Sequence, residues 1–298
     1  MKNQPASWLS RLRYWRSVYS PEAVEAARQA VAHQKPAVVI TGGSRGIGLA
    51  LARRFIEAGR DTVIVARNTQ DLSKALAQLK SDTSVEATAI VCDVARADAA
   101  EIIASGLRQA GLYLDVLVNN AGTGLAGPFL THAPDDLAHL IAVNIDGLTR
   151  LTRAALPDMI ARQRGGILNM ASLGAYVPGP NQAAYYASKS YVLSLTEALA
   201  SEVSGQGVRV AAVASGPVDT TFHRDMGAEA SLYRLLLPSL TPERVARSAY
   251  LGFIMGRRVI VPGILNNVMF VALRLLPHFL TVPIVSWLLK RDENVNAR

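Results

Sequence analysis

The chain has 298 residues, half of them hydrophobic and 18% charged, enough apolar material for one large α/β domain or two small ones, which excludes a disordered chain. Its single cysteine, Cys92, excludes an intramolecular disulfide and a cysteine-rich metal centre; it fits a reducing, cytoplasmic setting and reads as a buried, inert thiol at a strand end. The formal charge of +8 calls for an anionic partner, yet no zinc-finger, basic-heptad or RNP pattern accompanies it, so nucleic acid is not expected.

Residues 1–34 read as a basic and aromatic helical extension. Lys2, Arg11, Arg13 and Arg16 alternate with Trp8, Leu9, Leu12, Tyr14, Trp15, Val18 and Tyr19. That composition suits a helix on a membrane surface, or one packed on its own domain or a partner subunit. No uninterrupted apolar run follows the basic residues, which argues against a secretory signal.

From residue 35 onward, apolar runs recur at 37–41, 62–66, 87–91, 115–118, 167–171, 208–213 and 258–261. They are rich in β-branched residues and lack polar alternation, so they predict strands buried on both faces. Helical periods fill the gaps, notably 47–58, 137–161, 184–204 and 242–255. The alternation predicts an α/β fold: a doubly wound, Rossmann-type parallel sheet of about seven strands with helices on both faces, one domain over 35–263.

The first strand runs into Thr41-Gly42-Gly43-Ser44-Arg45-Gly46-Ile47-Gly48. Gly42, Gly46 and Gly48 permit a tight turn, close approach of backbone to a pyrophosphate, and close packing of the following helix. The free amides from Ser44 to Gly48 would face the phosphates. The second strand ends at Ala66-Arg67, without the carboxylate that accepts from the ribose hydroxyls of NAD. Arg67, helped by Arg45, would instead pair with a 2′-phosphate, which selects NADP(H). Asp93-Val94, after the third strand, would meet the adenine, or Asp93 would cap a helix. After the fourth comes Asn119-Asn120-Ala121-Gly122, where Asn120, Ala121 and Gly122 would let backbone pass the adenosine ribose, or form a plain turn.

Ser172 follows the fifth run, at the carboxyl end of a strand where open α/β sheets place ligands. Tyr185 and Lys189 are four apart on a predicted helix and share one face. A free tyrosine, with a pKa of about 10, is too weak an acid. A cation about 4 Å away contributes up to roughly 4 kcal/mol at a dielectric of 20, which would bring the phenol toward the working range of general acid–base catalysis. Ser172 would bind the substrate oxygen. Asn144, polar among Ala142, Val143 and Ile145, would hold a water linking Lys189 to solvent. Taken singly, each has a structural alternative as cap, packing ring, solvated lysine or core amide. No metal site is expected.

These residues make the chain resemble a short-chain dehydrogenase/reductase of the main single-domain branch. The resemblance covers about Lys35 to Gly263, through Thr41-Gly42-x3-Gly46-Ile47-Gly48, Asn119-Asn120-Ala121-Gly122, Ser172 and Tyr185-x3-Lys189. It implies an oxidoreductase with ordered cofactor binding, pro-S hydride transfer and an Asn–Ser–Tyr–Lys tetrad on Asn144, Ser172, Tyr185 and Lys189, the last two also touching the cofactor. It further implies a homodimer or homotetramer. The family's Pro-Gly-x-Val-x-Thr run is here Ser215-Gly216-Pro217-Val218-Asp219-Thr220. Gly216, Pro217, Val218 and Thr220 would keep the carboxamide contacts, and the displaced proline would alter the hinge of a lid over 221–237.

The segment 264–298 differs. Two apolar stretches, 259–273 and 275–289, flank Arg274. Each is about 15 residues, short of the roughly 20 a spanning helix needs. Joining them would bury Arg274 at a cost on the order of 3 kcal/mol, with Pro277 and Pro283 as breaks. A broken helix pair that caps the domain or lies in a membrane interface is expected. Leu173, Ala175, Tyr176, Val177, Pro178, Pro180, Phe222, Met226, Leu232, Tyr233 and 235–237 suggest a hydrophobic pocket and a lipophilic ketone substrate, unless that surface packs on the tail or another subunit. Oxidation of a small alcohol and a silent NADP(H)-binding scaffold are the competing functions.

Overall fold

The computed structural model describes residues 19–80, 85 and 87–290. The basic and aromatic segment 1–18 therefore lies outside the described residues, as do 291–298. Helix α1 (Pro21–Gln29) begins on the Ser20 cap, which accepts from the Ala23 amide. Arg28 ties it to the domain by donating to the Arg162 carbonyl at 3.1 Å.

Seven strands follow: β1 (Lys35–Thr41), β2 (Asp61–Ala66), β3 (Ala87–Val91), β4 (Leu112–Asn119), β5 (Gly165–Met170), β6 (Val208–Val213) and β7 (Val259–Ile260). They form one sheet in the order β3-β2-β1-β4-β5-β6-β7, every pairing parallel. Helices α2 (Gly46–Glu57), α3 (Thr69–Leu79) and α10 (Pro242–Ile254) cover one face, burying Leu51, Phe55, Leu72 and Phe253. Helices α4 (Ala99–Gln109), α6 (Leu148–Ala161) and α7 (Ala183–Glu202) cover the other, burying Ile103, Leu151, Met159 and Ala200. Val38, Val39 and Ile40 are wholly buried, worth roughly 1.5–3 kcal/mol each. The chain reverses direction across the sheet between β1 and β4, and the carboxyl ends of these strands open the crevice where such sheets bind ligands.

The 137–161 period resolves into α5 (Pro134–Ile141), one π-helical turn (Ala142–Gly147) and α6. An extra residue in one turn leaves the hydrophobic spacing almost unchanged, so periodicity reads it as a single helix. Gly147 sits where a Cβ would lie 2.4 Å from the Val94 carbonyl oxygen. Cys92 is buried with its thiol toward the Asp93 carbonyl, and burial pushes its pKa up, as expected of an inert thiol. Asp115, inside β4, is a buried carboxylate held by Arg60 and by Arg164 at 2.9 Å.

Beyond β6 come α8 (Phe222–Asp225) and α9 (Leu232–Leu236), which form the lid. The tail helices α11 (Ile264–Leu275) and α12 (His278–Leu288) follow β7. The expected helix break falls between them, at Leu276-Pro277. Among the described residues no helix is long and apolar enough to cross a membrane.

Candidate active site

The glycine turn sits at the β1 carboxyl end. Gly42 (φ +62°) needs the left-handed region, and a Cβ there would lie 2.9 Å from Ala121 Cα. A Cβ on Gly48 would come within 2.2 Å of the Gly42 carbonyl oxygen and 2.5 Å of Asn120 Nδ2. A Cβ on Gly46 would meet only Thr220, at 3.1 Å. The helix start is thus open toward Thr220 and closed against the sheet, a cradle whose free amides fit a pyrophosphate. Ser44 and Ile47 flank it half-buried, and Ile47's side chain packs on the core, leaving its amide for a phosphate.

Asn120 plays a part that its sequence context did not suggest. Its amide nitrogen donates to the Thr41 and Gly42 carbonyls at 2.9 and 3.0 Å, bracing the turn from behind. The Asn120 and Ala121 amides both donate to Thr41 Oγ1 at 3.0 Å. Asp93 accepts from the Ala95 amide at 2.9 Å, so it caps a turn; the helix cap falls at Asp98. Val94 is buried. Arg67 is exposed and makes no ion pair among the described residues. Arg45 differs: its guanidinium pairs with Asp225 at 2.8 Å and donates to Thr221 at 3.0 Å, latching the glycine loop to the lid.

Asn144 and Lys189 meet at Gly122, and Lys189 stands beside the Tyr185 ring. A Cβ on Gly122 would lie 3.3 Å from Asn144 Oδ1 and 3.5 Å from Lys189 Nζ. Asn144 is buried in the π turn. It donates to the Thr123 carbonyl at 2.8 Å and to Ser188 Oγ at 3.0 Å, and accepts from the Thr123 amide. Its amide thus anchors the Thr123 backbone and Ser188, and Ser188 passes the link on by donating to the Tyr185 carbonyl at 2.7 Å. Lys189 Nζ donates to the Met170 carbonyl at 2.8 Å and lies 5.7 Å from the Tyr185 ring centre. Ser172 accepts from the Gly174 amide at 3.1 Å and donates to the Ser215 carbonyl at 3.5 Å. Tyr186 cannot replace Tyr185, because its ring fills the space above Gly174 and Gly179.

A buried polar ladder ties β4 and β5 to α6 and α7, the helix that carries Tyr185 and Lys189. Asn119 on β4 donates to Thr152 on α6 and to Asn169 on β5, and Asn169 donates to Thr196 on α7, all between 2.9 and 3.0 Å. Each partner would be costly to leave unpaired in the interior. No local signal marks these four residues as a set.

The electrostatics depart from expectation. Burial pushes the Tyr185 phenol up to about 12, with the Ser172 hydroxyl working the other way. Burial also lowers Lys189 to about 8. The ammonium is engaged with the Met170 carbonyl, and the Tyr185 ring stands against those of Phe222 and Tyr186, 5.6 and 6.0 Å away between centres. Desolvation therefore outweighs the cation's pull. One pH effect follows. Lys189 loses its charge as pH rises through about 8; if Tyr185 is the proton donor, the field favouring its phenolate goes with that charge. The kcat/KM of carbonyl reduction, which reports free-enzyme ionisations, is expected to be level below that pH and to fall above it. The lysine's folded pKa lies below its unfolded value of about 10.4, so its contribution to stability rises with pH from about 8 to 10.4. Parallel activity and melting profiles check both signs; a melting midpoint falling in step with activity would overturn the assignment.

The lid packs beside the site. The Met226 carbonyl accepts from the Ala126 amide at 2.9 Å. Tyr233 bonds His223 Nδ1 at 2.7 Å, and burial holds that imidazole neutral, with its pKa lowered to about 4. Met226, Tyr233 and Val177 pack with Val285 and Leu289 of the tail. Part of the apolar surface ascribed to the substrate pocket is thus covered by the chain itself. Phe222 stays at the Tyr185 ring, while Leu235 and Leu236 are exposed. Ser215 is buried, and its carbonyl accepts from the Leu173 amide at 2.9 Å. The tail reaches the same loop, where a Cβ on Gly216 would lie 2.4 Å from Asn266 Oδ1.

A parallel Rossmann sheet with a phosphate cradle and a Ser–Tyr–Lys cluster at its carboxyl edge defines an NAD(P)-dependent oxidoreductase acting on CH–OH groups. Residues 36–231 match the short chain dehydrogenase family, and the chain belongs to it. It is 36% identical over 241 residues to galactitol 2-dehydrogenase of Rhizobium johnstonii, covering 77% of this chain and 92% of that one. A short-chain dehydrogenase from Sphingobium yanoikuyae in complex with NADPH superposes with a TM-score of 0.70 at 30% identity, covering 77% of this chain and 88% of the other. A 3-ketoacyl-(acyl-carrier-protein) reductase from Brucella melitensis complexed with NADH superposes at 0.66 and 26% identity, covering 76% and 96%.

Proposed function

We propose that the protein is an NADPH-dependent reductase of a lipophilic ketone, with Tyr185 as general acid. The surroundings of Tyr185 carry this reading: its half-buried ring stands against those of Phe222 and Tyr186, with centres 5.6 and 6.0 Å away. Such walls favour an apolar substrate with a single polar oxygen to be met by Ser172 and Tyr185.

A dinucleotide would be held by the Ser44–Gly48 amides, by Arg67 and Arg45 at the adenosine end, and by Asp93, Val94 and 120–122 along the crevice. Gly216, Pro217, Val218 and Thr220 would hold its far end, with Tyr185 and Lys189 against the ribose. Its nicotinamide supplies the hydride when bound. Ser172 orients the carbonyl oxygen, Tyr185 gives up its phenolic proton to that oxygen, and Lys189 stabilises the phenolate left behind. Asn144 positions Ser188 and the backbone beneath Tyr185.

Among the described residues Arg67 makes no ion pair, whereas Arg45 is paired to Asp225 at a solvent-exposed bridge. Exposed pairs of this kind are worth about 0–1 kcal/mol, so exchanging Asp225 for a phosphate costs little. An Arg67→Asp variant is expected to reverse the preference: KM for NADPH should rise roughly 10- to 100-fold, while KM for NADH changes little or falls. Unchanged constants would exclude Arg67 as the 2′-phosphate partner. A ketone series graded by chain length tests the substrate class, with kcat/KM expected to climb with length. The galactitol relative favours a second reading, oxidation of a small polyol. A polyol would need polar partners that the rings around Tyr185 do not offer.

A further inference from the structure

We infer that helices α11 and α12 form a seat for an anionic lipid surface, pressed on one side by the bilayer and on the other against the lid. The lid half of this inference rests on the lipophilic-ketone reading; the seat itself does not.

Both helices use their inner faces on the elements that build the active site. Phe270 of α11 packs edge-on against Tyr176, just after Ser172, with ring centres 5.0 Å apart. Val285 and Leu289 pack with Met226 and Tyr233 of the lid, and the Leu232 amide donates to the Lys290 carbonyl at 3.1 Å.

The outer faces are bare and largely apolar, with Asn267, Arg274 and His278 the exposed polar side chains among them. Residues 274–280, where the two helices meet, are all exposed, with Leu275 and Phe279 each at 76%. Ile264 is 87% exposed at one end of the pair and Trp287 52% at the other. Soluble surfaces avoid a continuous apolar tip of this kind.

Charge selects the occupant. No Asp or Glu occurs between Val259 and Lys290, whereas Arg274 and Lys290 are present and exposed. A cation in the tip and another just past the end of α12, with no acid between, complement anionic headgroups over acyl chains. Twelve- and eleven-residue helices reach only about 16–18 Å, well short of the roughly 30 Å hydrocarbon layer. The pair therefore lies in the interface, where Trp287 suits the headgroup level. Leu235 and Leu236 of α9 are exposed on the lid that α12 holds. A lipophilic ketone leaving the acyl layer would meet the lid on its apolar side, with little exposure to water.

Flotation of the full-length protein with phosphatidylcholine vesicles containing phosphatidylglycerol tests the seat. The wild type is expected to float with them, and more weakly with phosphatidylcholine alone. Leu275→Asp combined with Phe279→Asp should lower the partition at least about tenfold, with melting midpoint and reduction of a short, water-soluble ketone unchanged. Arg274→Gln, which removes only charge, should weaken binding about fivefold and only on the anionic vesicles; it carries the test if the double variant fails to fold. Wild type left in the dense fraction, or equal flotation of all variants, would overturn the inference. So would a vesicle-free dimer that the double variant splits, since a second copy would then cover this face. Flotation does not depend on substrate, so the chain-length series can fail without it, and the reverse.

Discussion

A Tyr185→Phe variant is expected to lose roughly 10²- to 10⁴-fold in kcat for ketone reduction, the range for a positioned general acid. The substitution removes one hydroxyl and leaves the ring, so the contact with Phe222 at 5.6 Å between centres survives. No neighbouring acid substitutes: Tyr186 is wedged over Gly174 and Gly179, and burial raises its pKa beyond useful range. Dinucleotide binding should persist, because the cradle lies at the β1 end of the crevice. Single-turnover reduction with a stability control is the measurement. Undiminished reduction would remove Tyr185 from the chemistry, whereas silent wild-type protein with intact dinucleotide binding would favour the scaffold reading.

The second large effect is structural and reaches the cofactor. Gly48→Ala is expected to destabilise the fold by roughly 2–4 kcal/mol and to lower dinucleotide affinity at least about a hundredfold. The new methyl would lie 2.2 Å from the Gly42 carbonyl oxygen and 2.5 Å from Asn120 Nδ2. To clear them, α2 must move off the glycine turn, breaking the Asn120 bonds to Thr41 and Gly42. Overpacking of this kind costs about 1–3 kcal/mol, and each lost bond about 1 more. Alanine's better helix propensity returns at most about 1 kcal/mol, so the clash wins. Gly59→Ala is the control: φ is +74° but nothing lies within 4 Å, so only backbone strain of about 1 kcal/mol applies. Melting midpoints and fluorescence titration with NADPH compare the two. An alanine at position 48 that binds NADPH within a fewfold of wild type would show that the turn does not need this glycine.

Much of this protein was legible in one dimension. Strands buried on both faces leave continuous apolar runs, so all seven were visible before the sheet was. Gly42, Gly46 and Gly48 announce a turn whose backbone demands are local, and Tyr185 and Lys189 sit four apart on one helix, a spacing that puts them on one face in any fold. Ser172 could be located because it ends a strand. What could not be read is carried by partners far apart along the chain. Asn120 lay within a recognised motif, but its bracing of the glycine turn depends on β1 and β4 being neighbours. Arg45 carries a free charge in sequence and a lid latch in space, through Asp225. The Asn119–Asn169 ladder, the π turn that aims Asn144, and the tail's grip on Met226 and Tyr233 likewise exist only once the sheet is assembled. Even the acidity of Tyr185 moved with the packing: sequence placed a cation four residues away, but burial raised the phenol to about 12. Spacing along a chain determines which groups can meet; desolvation depends on everything else that packs around them, and only the tertiary structure decides it.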